Sequence, residues 1–136
     1  MFGLSSKEKK LVKEVEVPSG HNPDNYLVER IKATAHDGRK IPITLVRRKD
    51  TPLNGSSKLL LYGYGSYKYS VPVSFGAAKF CVIDRGIIFA IAHVRGGGEL
   101  GEKFYREGIM LKKINGAKDY IACAQYLIKK KYTYKG

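Results

Sequence analysis

The sequence predicts an α/β chain in which an antiparallel hairpin feeds parallel strand–helix units. Three observations carry this. An Asp37-Gly38 step separates two alternating runs, a strong hairpin signal. Two short apolar runs, residues 59–62 and 86–94, read as fully buried strands. Apolar residues at helical spacing follow each run, and strand–helix–strand–helix is a parallel α/β pattern.

The elements follow in order. Residues 1–25 are polar and irregular, with Pro18, Gly20 and Pro23 close together, and read as a linker. Residues 27–35 alternate, with Leu27, Glu29, Ile31, Ala33 and Ala35 on one side, and the β-branched run 41–46 pairs with them. Residues 51–57 are turn chemistry. After the strand at 59–62, residues 75–84 form a helix with Phe75, Ala78 and Val82 at compatible spacing. After the strand at 86–94, Ala117, Ile121, Ala124 and Ile128 form a helical stripe with Tyr120 and Leu127 beside it, and Asn115 is the expected N-cap.

The 136 residues, 43% hydrophobic and 27% charged, suit one ordinary domain and exclude disorder, collagen and coiled coil for the whole chain. No apolar stretch approaches the roughly 20 residues of a membrane helix. Met1-Phe-Gly-Leu is followed at once by polar residues, so no signal peptide is expected. Cys81 and Cys123 sit in apolar contexts and read as buried free thiols of a reducing, cytoplasmic compartment. No His, Cys and Asp cluster has zinc spacing, and neither metal nor cofactor is expected. Lys and Arg number 25 against 12 Asp and Glu, a net +13. The basic clusters are scattered and carry no recognition-module signature. A basic solvated surface therefore accounts for the charge better than nucleic-acid binding.

Two glycine-rich segments follow the buried strands: Tyr62-Gly63-Tyr64-Gly65-Ser66-Tyr67 and His93-Val94-Arg95-Gly96-Gly97-Gly98-Glu99. Glycines at a strand's carboxyl end allow a sharp turn and close approach to a ligand, although a plain tight turn looks the same in sequence. Neither is a phosphate loop, since no Lys-Ser or Lys-Thr follows. Arg95 and Glu99 are placed to pair across the three glycines and brace that loop. His93 ends a buried strand among apolar neighbours and reads as a satisfied core histidine.

Taken together, Leu59-Leu-Leu-Tyr-Gly-Tyr-Gly-Ser-Tyr67, then Asp84-Arg-Gly-Ile-Ile-Phe-Ala-Ile-Ala-His-Val-Arg-Gly-Gly-Gly-Glu-Leu-Gly101, then Asp119-Tyr-Ile-Ala-Cys-Ala-Gln-Tyr-Leu127 resemble the prolyl oligopeptidase family of serine peptidases. The oligopeptidase B branch fits best. The resemblance runs from near Lys13 to the end of the chain. It implies a partial α/β-hydrolase fold, with residues 1–25 resembling the exit from a β-propeller and residues 26–136 the first part of the catalytic domain. It also implies that the Tyr64 hydroxyl stabilises the oxyanion, that Tyr67 lines the substrate pocket, and that short peptides are cut after basic residues.

The sequence also departs from that family. Gly-x-Ser-x-Gly is absent, and the Ser, Asp and His of the triad are all expected to be missing. The chain alone is therefore expected to be inactive. Pro72 and Ser74 stand where oligopeptidase B usually carries two acids that hold a basic residue, and Lys68 replaces a usual glycine. Two rival readings remain: a basic module that binds nucleic acid or an acidic protein, and a non-catalytic half that assembles with a separately encoded part bearing the triad.

Overall fold

The computed structural model describes residues 8–13, 16–17, 20–74 and 76–135. Part of the expected linker, and Phe75 of the expected first helix, lie outside the described residues. Strand β1 (Tyr26–Thr34) pairs antiparallel with β2 (Lys40–Arg48), Tyr26 opposite Arg48 and Thr34 opposite Lys40. Gly38 makes the turn possible. Its φ of +81° is left-handed, a region costly for residues with a Cβ. The alternation holds, with Ala33 and Ala35 buried while Lys32 and Thr34 face water.

Strand β3 (Leu59–Gly63) leads through α1 (Ala77–Ile83) to β4 (Ile88–Ala92). β4 lies between β2, antiparallel to it, and β3, parallel to it, so the sheet order is β1–β2–β4–β3. A short helix α2 (Glu102–Arg106) precedes α3 (Ile114–Lys129). One face of the sheet presents Ile41, Ile43, Leu45, Ile88, Ala90 and Ala92, which form the core with Cys123 and Leu127 of α3. The alternate residues Thr44, Val46, Phe89 and Ile91 point to the other face, where α1 covers them only in part.

Several expectations change here. Residues 59–62 are not fully buried: β3 is an edge strand, and Leu60 and Tyr62, on the same face as Phe89 and Ile91, are about half exposed beyond the part that α1 covers. The buried stripe of α3 is Gly116, Asp119, Cys123 and Leu127, whereas Ala117, Ile121 and Ile128 are exposed. Both stripes have helical spacing, and an aspartate within the buried one disguised it. Asn115 is not the N-cap. It lies inside α3, and its Nδ2 donates to the Glu107 carbonyl at 2.9 Å, while Lys113 occupies the cap position. Cys81 is exposed, because the only buried residue of α1 is Ile83; Cys123 is buried.

Candidate functional site

Two loops leave the carboxyl ends of the parallel strands β3 and β4, the side of an α/β sheet where ligands bind. The tyrosine loop, residues 64–71, begins with Tyr64, whose ring is half exposed and meets Tyr69 edge-on with centroids 5.8 Å apart. Tyr67 stands out in solvent, and both Tyr67 and Lys68 have left-handed φ, +54° and +58°. Such strain in side-chain-bearing residues persists only where the surroundings enforce it. Here the Lys68 amide donates to the Gly96 carbonyl at 3.0 Å, and its ammonium pairs with Glu102 at 2.5 Å. Lys113, at the start of α3, donates to the Gly65 carbonyl at 2.7 Å and to Ser66 Oγ at 2.6 Å.

The second loop, residues 93–101, is the bed on which the first one rests. A Cβ at Gly96 would collide with the Gly65 carbonyl, and the left-handed φ of +96° there also requires glycine. Gly96, Gly98 and Gly101 have the Gly-x-Gly-x-x-Gly spacing of a dinucleotide loop, ahead of α2. The space such a loop would offer a pyrophosphate is filled by the tyrosine loop, since the Lys68 carbonyl lies where a Cβ of Gly98 would sit.

Arg95 and Glu99 do not pair with each other; each takes a different partner. Arg95 is buried and grips Asp119 of α3 with its backbone N–H at 3.1 Å, Nε at 2.8 Å and Nη2 at 2.6 Å. It also donates to Asp37 in the β1–β2 turn. The Asp119 carboxylate, through its hydrogen bonds, raises the Arg95 pKa despite burial. The Arg95 guanidinium in turn holds Asp37 down to about 2. Arg39 pairs with Glu107, closing a network that ties turn, glycine loop and α3 together.

Glu99 turns inward. Its Oε1 lies 3.3 Å from His93 Nδ1 and accepts the Val71 N–H at 3.0 Å, while His93 Nε2 lies 2.9 Å from Thr44 Oγ1. His93 is thus the satisfied core histidine expected, but the acid beside it was not visible in sequence. Burial pushes the Glu99 pKa up, yet the contacts with His93 and Val71 outweigh it and the net direction is down.

Tyr64 stands between two open grooves. One, about 610 Å³, runs from Gly63 and Val94 to Ile114, Tyr120 and Ile121. The other, about 580 Å³, is a cup of Tyr62, Tyr64, Tyr67, Lys68, Tyr69 and Ser70. Pro72 and Ser74 are exposed and outside both linings. A more enclosed cavity of about 320 Å³, lined by Tyr26, Phe80 and Phe89 among others, lies on the α1 face, away from these loops. Among the described residues no three His, Cys, Asp or Glu could hold a metal, and no helix is long and apolar enough to cross a membrane.

The hairpin, the parallel β3–β4 pair and the glycine loops at their carboxyl ends make up a partial α/β-hydrolase fold. The model of the prolyl oligopeptidase family matches residues 73–135 of the chain. The chain is 41% identical over 129 residues to dipeptidyl aminopeptidase BI of Pseudoxanthomonas mexicana, covering 94% of this chain and 18% of that protein. It is 36% identical over 134 residues to protease 2 of Moraxella lacunata, covering 97% of this chain and 19% of that one. Oligopeptidase B from Trypanosoma brucei, solved with covalently bound antipain, superposes with a TM-score of 0.89 at 43% identity, over 97% of this chain and 19% of that one. The chain thus spans about a fifth of the length of these relatives.

Proposed function

We propose that this chain forms the oxyanion side of the catalytic domain of a cytoplasmic serine-type oligopeptidase, with Tyr64 donating its hydroxyl to the developing oxyanion and Tyr67 contacting the peptide. The observation that carries this is the placement of Tyr64: first residue beyond a parallel strand, half exposed, between two grooves, on a loop held from below by glycines. Residues 1–25 would be the exit from a propeller and residues 26–136 the start of the catalytic domain. The nucleophile and its His and Asp partners come from a part of the relatives' length that this chain does not span. The open edge of β3 supports this, because a parallel strand added there would end beside Tyr64. The two free cysteines suit a reducing compartment. Peptides are the substrate, but the tyrosine cup contains no carboxylate, which disfavours a preference for basic residues.

The test is reconstitution. The chain alone should neither hydrolyse peptide esters nor react with a serine-directed fluorophosphonate; both should appear once a triad-bearing remainder is added. In the assembled enzyme, Tyr64→Phe should lower kcat about 10²–10³-fold, with KM held within a few-fold, because the lost donor acts only on the transition state. Labelling of this chain by itself, or full turnover by the variant, overturns the reading. Salt-dependent binding of the chain to random DNA would favour the basic-module alternative instead.

A further inference from the structure

We infer that Glu99, held by His93, is a positioning residue for the tyrosine loop: it fixes the loop's exit at Val71 and thereby the orientation of Tyr64. The connection can be followed atom by atom. Thr44, in the interior of the sheet, contacts His93 Nε2, and His93 Nδ1 contacts Glu99 Oε1. The same oxygen accepts the Val71 N–H. Two residues before Val71 is Tyr69, whose ring packs edge-on against Tyr64. Tyr69 is itself turned back by donating its backbone N–H to the Ser66 carbonyl at 3.0 Å.

Glu99 is unusual chemistry for a loop brace. Its side chain is 8% exposed, and Oε2 is buried without a hydrogen-bond partner, pressed against Gly97, where a Cβ would strike it. Burying a carboxylate with one oxygen unsatisfied is costly. A neutral side chain that merely filled this space would avoid that cost, so the cost identifies the interactions at Oε1 as the reason for the acid. A charge-assisted acceptor is roughly twice as strong as a neutral one, and here a single oxygen serves both the core histidine and the loop's amide. The Gly96–Lys68 hydrogen bond holds the middle of the loop and Lys113 its start, while Glu99 secures the end at Val71.

The catalytic consequence rests on the peptidase reading above, whereas the structural link is measurable without any activity. Amide hydrogen exchange on the full chain should show Val71 and Lys68 protected. In Glu99→Gln, which removes the charge and places an amide group where Oε2 has no acceptor, Val71 protection should fall about tenfold or more. The β4 amides of Ala90 and Ile91 should keep theirs. An unprotected Val71 in the parent, an unchanged Val71 in the variant, or an equal loss at Ala90 and Ile91 would overturn the inference. In the reconstituted enzyme, Glu99→Gln should lower kcat about tenfold with KM within about twofold, and should cost nothing further when Tyr64→Phe is already present. Additive losses in that double variant would show that Glu99 does not act through Tyr64, and would equally overturn it. If Tyr64→Phe alone changes nothing while the exchange result holds, the peptidase reading fails and the loop link survives.

Discussion

Cys81 and Cys123 have similar apolar neighbours in the sequence and opposite fates in the fold. α1 is seven residues long and presses only Ile83 into the interior, so Cys81 remains in water. Cys123 lies on the inner stripe of a sixteen-residue helix with no exposed surface, where burial first, and the nearby Asp119 carboxylate second, push its thiol up to about 12. Because the thiolate is the reactive form, the two should differ sharply in chemistry. Native chain treated with an alkylating reagent at pH 8 should take up one equivalent, at Cys81, and two after denaturation; peptide mapping checks this. Two equivalents taken up rapidly under native conditions would contradict the packing of α3.

At the scale of elements, the contact that matters most is the anchoring of the β1–β2 turn and α3 to the glycine loop through Arg95. Its side chain is 2% exposed and that of Asp119 is fully buried. Replacing Arg95 with Met keeps much of the volume but strands a buried carboxylate. Removing one partner of such a pair costs about 3–5 kcal/mol, which denaturant melts will register. Asp37 adds a pH signature. The folded chain holds its carboxyl below the usual 3.8, mainly through the Arg95 hydrogen bond, so its contribution is complete above that value and is lost as pH falls through about 2. Asp37→Asn should therefore be less stable than the parent at pH 6 and lose the part of the acid-unfolding curve between those limits. With that carboxylate 39% exposed, solvent screening keeps the effect small. Identical acid titrations for the two proteins would separate Asp37 from the network.

The whole molecule is a sheet clothed on one face and half bare on the other. Leu60 and Tyr62 of β3, with Ile114 and Ile121 of α3, leave apolar surface around the open edge of β3. An open edge presents unpaired backbone donors and acceptors, and apolar surface beside it favours association. The +13 charge opposes that, but salt screens it within about 8 Å at physiological ionic strength. The isolated chain should therefore associate more as salt is added, and Ile121→Lys, at an exposed helical position, should reduce association with little change in stability. Sedimentation across a salt series checks both; a monodisperse parent at high salt would contradict them.

The hairpin was legible because its signals are local: the Asp37-Gly38 turn and the alternation of Ile31, Ala33 and Ala35 require no knowledge of the rest of the chain. The β4 strand was legible because only a central position tolerates so apolar a run. The two glycine loops were visible as motifs, and Tyr64 and Tyr67 as residues placed by resemblance. The partners of those loops were not. Sequence proximity paired Arg95 with Glu99, four residues away. The fold instead brings Asp119 and Asp37 to the first and His93 and Val71 to the second. Likewise α3 has two stripes at helical spacing, and only packing against β1 and β2 decides which one is inside. Local turn and alternation preferences are properties of neighbouring residues. Which side of a helix is buried, and which acid a cation meets, depends on strands and loops tens of residues distant, and only the tertiary structure brings those together.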